Sequence, residues 1–253
     1  MSKLPKEHKF IDLSDYGRAP ARFIANAIKH TSFTPIHVTI SFIISGVIAI
    51  ICILNKYFLG ACFFLILKSV LDAADGELAR IKNTPSYTGR YFDSVSDIII
   101  NFLIFMTLWF ITDSNLFLAI LAFLGVQLQG TLYNYYYTIL RNNFNGDTTS
   151  RIFETEVPIA LEEENQKNVN FFFKLYKILY GGFDRIIYTL DRPAAESRNF
   201  PNWLMTAVST FGLGFQLLLI GILLIAGFKE SIIPFFIIYT LMVFVFIGIR
   251  RLL

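Results

Sequence analysis

Four aspartates within 26 residues carry the chemistry that this sequence offers. Asp72, Asp75, Asp93 and Asp97 lie at the ends of two strongly apolar segments. At 100° per residue, the first two fall on one face of a helix and the last two on one face of the next. The spacing therefore predicts a helical hairpin in which two short acidic stripes face each other.

Carboxylates held this close at the edge of a membrane repel one another unless cations are present. Oxygen ligands without His or Cys suit Mg²⁺ or Mn²⁺ better than Zn²⁺. Two such ions, about 4 Å apart, would clamp a phosphate or pyrophosphate during its displacement. The alternative is a pair of solvated helix ends, but it leaves the small residues Gly76 and Ala79 on the acidic face unexplained.

The residues between the two acidic pairs indicate where the helices end. Pro85 should stop the first helix before it, and Gly89 should lie near the start of the second. Lys68 lies one turn before Asp72 on the same face, where it can neutralise the acids or reach a phosphate.

The composition is typical of an integral membrane protein. Of 253 residues 55% are hydrophobic, and the mean hydropathy is +0.55. We predict an all-α fold with six transmembrane helices, at about 36–54, 57–81, 91–111, 116–140, 203–227 and 232–249. Cys52 and Cys62 lie in apolar segments and are interpreted as small hydrophobic residues.

One polar region precedes these spans, and another lies between the fourth and the fifth. Residues 1–33 are expected to form a cytoplasmic or interfacial segment, with an amphipathic helix that begins near Pro20. Residues 34–253 are expected to form the membrane domain. Its connection 141–202 is too long for a plain loop, so we predict an interfacial helix there that Gly181 and Gly182 interrupt.

The basic residues indicate the orientation. With the amino terminus in the cytoplasm, the opposite side holds only Lys56 and Lys229, which agrees with the positive-inside rule. The aspartates would then face the cytoplasm in a multi-pass protein of the cytoplasmic membrane. A net charge of +3 does not favour nucleic acid as a partner. The cluster Tyr133, Tyr135, Tyr136 and Tyr137 is typical of a membrane-interface belt.

The acidic segment resembles the signature of the CDP-alcohol phosphatidyltransferases, the class-I CDP-alcohol phosphotransferases. The matching pattern is Asp72-x2-Asp75-Gly76-x2-Ala79-Arg80-x8-Gly89-x3-Asp93-x3-Asp97, eight fixed residues without a gap. The six apolar segments are also similar to the layout of that family. This resemblance implies roles for individual residues.

By resemblance, Asp72, Asp75 and Asp93 are metal ligands. Asp97 is the catalytic base and also touches the second ion. The cofactors implied are two divalent cations, Mg²⁺ or Mn²⁺. The residues that the resemblance places at the CDP-linked donor are Gly76, Ala79, Arg80, Ser86, Gly89, Pro35 and Thr39. Ile36 stands where the family usually has Asn, so this chain departs from the pattern there.

The reaction implied by the resemblance is transfer of a phosphatidyl group from a CDP-linked lipid to the hydroxyl of an alcohol, with release of CMP. The motif Asp-Gly-Glu-Leu-Ala-Arg and the compact six-span layout resemble those family members that use CDP-diacylglycerol and a small polar alcohol. The alternative within the family is transfer from CDP-choline or CDP-ethanolamine to diacylglycerol. The resemblance further implies membrane lipids and a second copy of the chain as partners.

A cation transporter is the alternative from another functional class. Its acids would lie near the middle of the bilayer, in broken helices. In this sequence they cluster instead at one end of two apolar segments, which favours the transferase.

Overall fold

The structure, a computed structural model, describes residue 4 and residues 9–144, 154–162, 164–198 and 200–253. The described residues form helices joined by short turns, and no strand occurs among them. The α-helices are α1 Arg18–Ile28, α2 Pro35–Leu54, α3 Phe58–Lys82, α4 Tyr87–Thr112, α5 Leu116–Asn143, α6 Gln166–Leu190, α7 Asn202–Val208, α8 Leu213–Ile225, α9 Ile232–Thr240 and α10 Met242–Leu252.

Four stretches of the described chain are long and apolar enough to cross a membrane: α2, α4, α5 and the segment Lys229–Leu252 that contains α9 and α10. Residues Asn202–Phe211 and Leu213–Ile225 form a pair bent by 55°, which would be a fifth span if counted as one. Helix α3 is as long as these, but its carboxyl half carries the charged motif. The all-helical expectation is confirmed, and the number of six spans stays a prediction.

Helix α3 occupies a central place in the fold. It packs against α2, α1 and α8, while α4 packs against α2 and α5. Buried apolar side chains, among them Leu65 of α3, Phe105 of α4 and Phe236 of α9, form the largest core cluster. The charged end of α3 is therefore held between neighbours on several sides.

The hairpin between α3 and α4 has caps at both of its ends. Asn83 ends α3 with φ 53° and ψ 43°, a left-handed conformation that closes many helices. Ser86 is the N-cap of α4, and its hydroxyl accepts a hydrogen bond from the N–H of Gly89 at 2.8 Å. The first helix ends before Pro85, as the sequence predicts.

Helix α6 runs without interruption through Gly181 and Gly182, so the predicted break is wrong. Helical glycine costs only about 1 kcal/mol relative to alanine, and packing on both sides of the pair offsets that cost. The Tyr180 hydroxyl donates to the Ser94 carbonyl at 3.0 Å, and Phe183 packs against the main core. The helix thus lies across α4.

The segment before α1 is tied to distant parts of the chain. The N–H of Leu13 donates to the Ser209 hydroxyl at 2.9 Å. A Cβ added to Gly214 would lie 2.0 Å from the Ser14 carbonyl oxygen, so the close contact here requires glycine. Helix α1 buries Ala21 against α3, while Phe23 is exposed.

Candidate active site at the α3–α4 hairpin

A cavity of about 1740 Å³ opens beside the acidic ends of α3 and α4. Side chains from α2, α3, α4, α5 and α6 line it, together with the segment before α1. All the site residues predicted from the sequence lie on its wall: Pro35, Thr39, Asp72, Asp75, Gly76, Ala79, Arg80, Ser86, Gly89, Asp93 and Asp97. The fold therefore brings residues of three segments to one space.

Three of the four aspartates form a tight group. Asp72, Asp93 and Asp97 each offer one carboxylate oxygen, and these oxygens lie within 4.8 Å of one another. The residues come from two helices, and the turn between α3 and α4 brings them together. A group of this size can enclose a cation.

Asp75 lies beside this group and has a protein partner of its own. Its Oδ2 accepts a hydrogen bond from the Thr39 hydroxyl at 2.7 Å, and its side chain is buried. Thr39 comes from α2, so this contact fastens α2 to the acidic face of α3.

The donor set fits a hard divalent cation. The group offers carboxylate oxygens alone, which suits Mg²⁺ or Mn²⁺. The Oδ1 of Asp93 is buried and accepts no hydrogen bond within the described part of the chain. Because a buried carboxylate oxygen is costly without a partner, this atom supports a cation at the site.

Lys68 reaches the same group from one turn earlier in α3. Its Nζ lies 2.5 Å from Oδ1 of Asp97, and its side chain is fully buried. The ammonium also lies 4.9 Å from the centre of the Phe42 ring. The pair places one positive charge against the acids, in agreement with the neutralising role that the sequence suggests.

Among the described residues, Arg80 pairs with a glutamate and with none of the aspartates. Its Nη2 lies 3.2 Å from Oε1 of Glu77, a buried acid that also faces Arg18 and Arg22 of α1 at 3.4 and 3.5 Å. The guanidinium passes over Gly76, where an added Cβ would lie 3.6 Å from both terminal nitrogens. Arg80 therefore remains on the cavity wall, held by Glu77.

Glu164 caps the start of α4 from the connection before α6. Its carboxylate accepts hydrogen bonds from the Thr88 N–H at 2.7 Å, the Ser86 hydroxyl at 2.8 Å and the Tyr87 N–H at 3.1 Å. Partial burial raises the pKa of Glu164, but these hydrogen bonds outweigh it, so the pKa lies below its ordinary value. The negative charge also suits the helix N-terminus.

Ser86 and Gly89 are both engaged in this cap. The Ser86 hydroxyl donates to Glu164 and accepts from Gly89, so both of its contacts stabilise the start of α4. A Cβ on Gly89 would lie 3.2 Å from the Ser86 hydroxyl oxygen, so glycine permits the close approach. Their predicted contact with a donor stays a prediction.

A second acid fastens the same connection to α4. Glu154 is buried, and its carboxylate lies 2.5 Å from Nη2 of Arg90 and 3.2 Å from the Tyr91 hydroxyl. Lys177 of α6 donates to the Glu154 carbonyl. Neither Glu154 nor Glu164 could be identified from the sequence, because nothing in the local pattern distinguishes an acid with a distant partner from a solvated one.

The tyrosines that the sequence suggests as an interface belt are instead buried in the protein. The Tyr133 hydroxyl lies 2.5 Å from a carboxylate oxygen of Asp12, and the Tyr136 hydroxyl donates to Asp191 at 2.6 Å. The Tyr135 hydroxyl donates to the Asp191 carbonyl at 3.1 Å. These partners lie more than 50 residues away in sequence. Because the tyrosine side chains are buried against other parts of the protein, the belt interpretation is wrong.

Helix α5 brings to the cavity several polar side chains that are absent from the sequence-based prediction of the site. They lie on the cavity wall at positions three or four residues apart: Gln127, Thr131, Asn134, Thr138 and Arg141. The regular spacing was visible in the sequence and would have indicated one helix face.

Comparison with known proteins assigns the central helices to a family. Residues 32–159, just over half of the chain, match the family described as CDP-alcohol phosphatidyltransferase. A stretch of 61 residues is 38% identical to the CDP-diacylglycerol--serine O-phosphatidyltransferase of Helicobacter pylori. It covers 24% of this chain and 26% of that relative, so the match spans about a quarter of the relative's length.

Proposed function

Because the chain belongs to the CDP-alcohol phosphatidyltransferase family, we propose that it transfers a phosphatidyl group from CDP-diacylglycerol to the hydroxyl of a small polar alcohol. The second product is CMP. The observation that carries this proposal is the group formed by Asp72, Asp93 and Asp97 within a cavity large enough for a nucleotide and an alcohol.

The four aspartates are proposed as the ligands of two divalent cations, Mg²⁺ or Mn²⁺. Bound there, such cations polarise a phosphoryl oxygen and neutralise negative charge on the phosphates. The buried Oδ1 of Asp93, which accepts no hydrogen bond from the residues that the structure describes, supports this assignment. Thr39 holds Asp75 in place through its hydrogen bond.

Asp97 is proposed as the catalytic base. It accepts the proton of the acceptor hydroxyl as that oxygen attacks the phosphorus atom next to the diacylglycerol. The bond from this phosphorus to the bridging oxygen of the pyrophosphate breaks, and its electrons leave with CMP. Lys68 positions the Asp97 carboxylate through the 2.5 Å contact.

The donor is proposed to lie along α2, α3 and the turn between α3 and α4. Arg80 would pair with a phosphate, since a guanidinium binds phosphate oxygens through two parallel hydrogen bonds. Gly76 and Ala79 leave room beside it. Pro35, Thr39, Ser86 and Gly89 complete this wall of the cavity.

The relative's name supports CDP-diacylglycerol as donor and suggests L-serine as the first acceptor to test. Transfer from CDP-choline or CDP-ethanolamine to diacylglycerol is the second candidate, because the family description specifies only a CDP-alcohol. Either reaction would use the same aspartates.

We also propose where the reaction takes place and in which assembly. The chain would be a multi-pass protein of the cytoplasmic membrane, with residues 1–33 as an interfacial segment and residues 34–253 as the membrane domain. Its cavity would open to the cytoplasm, and the chain would form a homodimer. The apolar helices support the membrane setting.

The test is CMP release by the purified full-length protein in detergent with Mg²⁺ or Mn²⁺. CDP-diacylglycerol, CDP-choline and CDP-ethanolamine are each combined with polar alcohols and with diacylglycerol. We expect CMP from CDP-diacylglycerol and one polar alcohol, and none from the Asp97→Asn variant. Release only with diacylglycerol as acceptor would favour the second candidate.

A transport function is tested in parallel. Proteoliposomes that carry the protein are loaded with a cation-sensitive dye, and cation flux is followed. Flux that depends on Asp93, without CMP release from any pair of substrates, would overturn the transferase proposal.

A further inference from the structure

Helices α3 and α4 carry the acidic group, but neither is the main packing neighbour of the other. Among the residues that the structure describes, α3 packs chiefly against α2, α8 and α1, whereas α4 packs chiefly against α2, α6 and α5. Carboxylate oxygens of Asp72 on α3 and of Asp93 and Asp97 on α4 nevertheless lie within 4.8 Å of one another. The helices that hold α4 from its other sides therefore help to determine this spacing.

Helix α6 contacts α4 at the turn that carries two of these acids. The Tyr180 hydroxyl donates a hydrogen bond to the Ser94 carbonyl at 3.0 Å, and Ser94 lies between Asp93 and Asp97 in the sequence. Within an α-helix this carbonyl also accepts the bond from the N–H four residues further on, that of Ile98. The Tyr180 hydroxyl thus uses the second lone pair of a carbonyl that already has a partner.

Aromatic contacts hold Tyr180 in place. Its ring stacks on the ring of Tyr176, with the ring centres 5.1 Å apart and an angle of 14° between the planes. The Tyr176 ring lies 5.3 Å from that of Tyr91 on α4, and Tyr91 packs edge-on against Phe173 at 5.5 Å. Because aromatic pairs prefer such geometries, these rings direct the Tyr180 hydroxyl to one place on α4.

Tyr176 and Tyr180 also reach the candidate active site. Both line the cavity that contains Asp93 and Asp97. Helix α6 follows the segment that matches the family, so the match gives it no role. Its contribution to the site therefore rests on these contacts.

The simpler explanation of the bond to Ser94 is packing alone, since a tyrosine hydroxyl inside a protein usually finds an acceptor. The position of the bond favours a larger role. A misplacement of about 1 Å can cost about a hundredfold in rate, and partners of metal ligands affect metal affinity when they are changed. A contact that fixes the turn between Asp93 and Asp97 acts on both acids at once.

We propose that Tyr180 is a positioning residue for the reaction. Its hydroxyl holds the α4 turn that carries Asp93 and Asp97 at a fixed distance from Asp72 on α3. The cation ligands and the base then share one geometry before substrates bind. This inference rests on the proposed phosphatidyl transfer and on the proposed cation site.

The test compares Tyr180→Phe, which removes only the hydroxyl, with the wild type as full-length proteins in detergent. Tyr239→Phe is the matched control. Tyr239 of α9 shares a hydrogen bond with the Thr210 hydroxyl and stacks on Phe235, but it lies off the cavity wall. Three quantities are measured: the affinity for Mn²⁺ without substrates, by electron paramagnetic resonance; kcat and KM for CMP release at saturating Mn²⁺; and the melting temperature.

We expect Tyr180→Phe to weaken Mn²⁺ binding about fivefold and to lower kcat about tenfold, with the KM of CDP-diacylglycerol unchanged within about twofold. Tyr239→Phe should match the wild type in Mn²⁺ affinity and kcat. The melting temperature should fall by a similar amount in the two variants, because each loses one hydrogen bond. A purely structural role would change only the melting temperature.

If Tyr180→Phe equalled Tyr239→Phe in Mn²⁺ affinity and kcat, the inference would be overturned and Tyr180 would be a packing residue. A wild type that binds Mn²⁺ but releases no CMP from any pair of substrates would overturn the phosphatidyl transfer. The Mn²⁺ affinity of Tyr180→Phe would then still decide whether Tyr180 positions the acids. A wild type that binds no Mn²⁺ would overturn the cation site and this inference with it.

Discussion

The Nζ of Lys68 lies 2.5 Å from Oδ1 of Asp97, and the lysine side chain is fully buried. The pair joins α3 to α4 within the acidic group. Removing one partner of a buried ion pair leaves the other charge uncompensated, which is costly. A divalent cation at Asp97 would provide a second source of positive charge.

Lys68→Met is therefore expected to lower the free energy of unfolding by about 3 kcal/mol without divalent cations. Thermal unfolding in detergent measures this, and Mn²⁺ should raise the melting temperature of the variant more than that of the wild type. Lys174→Met, which changes an exposed lysine of α6, is the control. If Mn²⁺ raised the melting temperature equally in the wild type, Lys68→Met and Lys174→Met, the prediction would be contradicted.

Asp93→Asn is expected to weaken Mn²⁺ binding by more than about tenfold, because the change removes a negative charge from the proposed cation site. Electron paramagnetic resonance of free Mn²⁺ measures the affinity of the purified protein. Asp113→Asn is a matched control, since Asp113 lies at the other end of α4 and asparagine accepts its left-handed φ of 49°. Unchanged affinity in Asp93→Asn would place the cation elsewhere.

Glu164→Gln is expected to loosen the first turn of α4. The lowered pKa of Glu164 means that the ionised carboxylate stabilises the folded state. This contribution is fully present above the unfolded pKa of about 4.3 and is lost as the pH falls through the lower folded pKa. Hydrogen exchange at the Tyr87 and Thr88 amides should be faster in the variant at pH 7.

The control for this measurement is Glu162→Gln, which changes a nearby exposed acid. It should leave exchange at both amides as in the wild type. If Glu164→Gln also left exchange unchanged, the cap would not stabilise the helix.

Asp191→Ala is expected to destabilise the carboxyl-terminal helix. Asp191 is fully buried and accepts hydrogen bonds from Arg250 Nε at 2.8 Å and from the Tyr136 hydroxyl at 2.6 Å. Removing the Asp191 carboxylate should lower the free energy of unfolding by about 3 to 5 kcal/mol, because Arg250 is left buried without its anion. Thermal unfolding measures the loss.

Arg251→Ala is the matched comparison. Arg251 lies 3.4 Å from the same carboxylate, but half of its side chain is exposed. An exposed ion pair of this kind contributes about 0 to 1 kcal/mol to the free energy of unfolding. If both variants lost the same free energy of unfolding, burial would not determine how much each ion pair contributes to stability.

The hairpin and its acids could be predicted from sequence because the signals are local. Pro85 and the capping residues around it fix where α3 ends and where α4 begins, and a short turn between antiparallel helices leaves few arrangements. The spacing of Asp93 and Asp97 then decides which face they share. The group found around them follows from these constraints.

Features that depend on distant partners could not be predicted in this way. Arg80 pairs with Glu77 because α1 brings two further arginines to that acid. The uninterrupted course of α6 depends on its contacts with α4, and local propensity at Gly181 and Gly182 does not report them. Tertiary packing overrides propensity at such positions.

The hydrogen bond between Leu13 and Ser209 joins residues 196 positions apart. At about 5 to 20 residues per second of synthesis, Ser209 follows Leu13 by about 10 to 40 s. The helices that carry the aspartates are complete well before that contact can form. The amino-terminal wall of the cavity therefore closes late in biosynthesis, after the helices that carry the four aspartates have been synthesised.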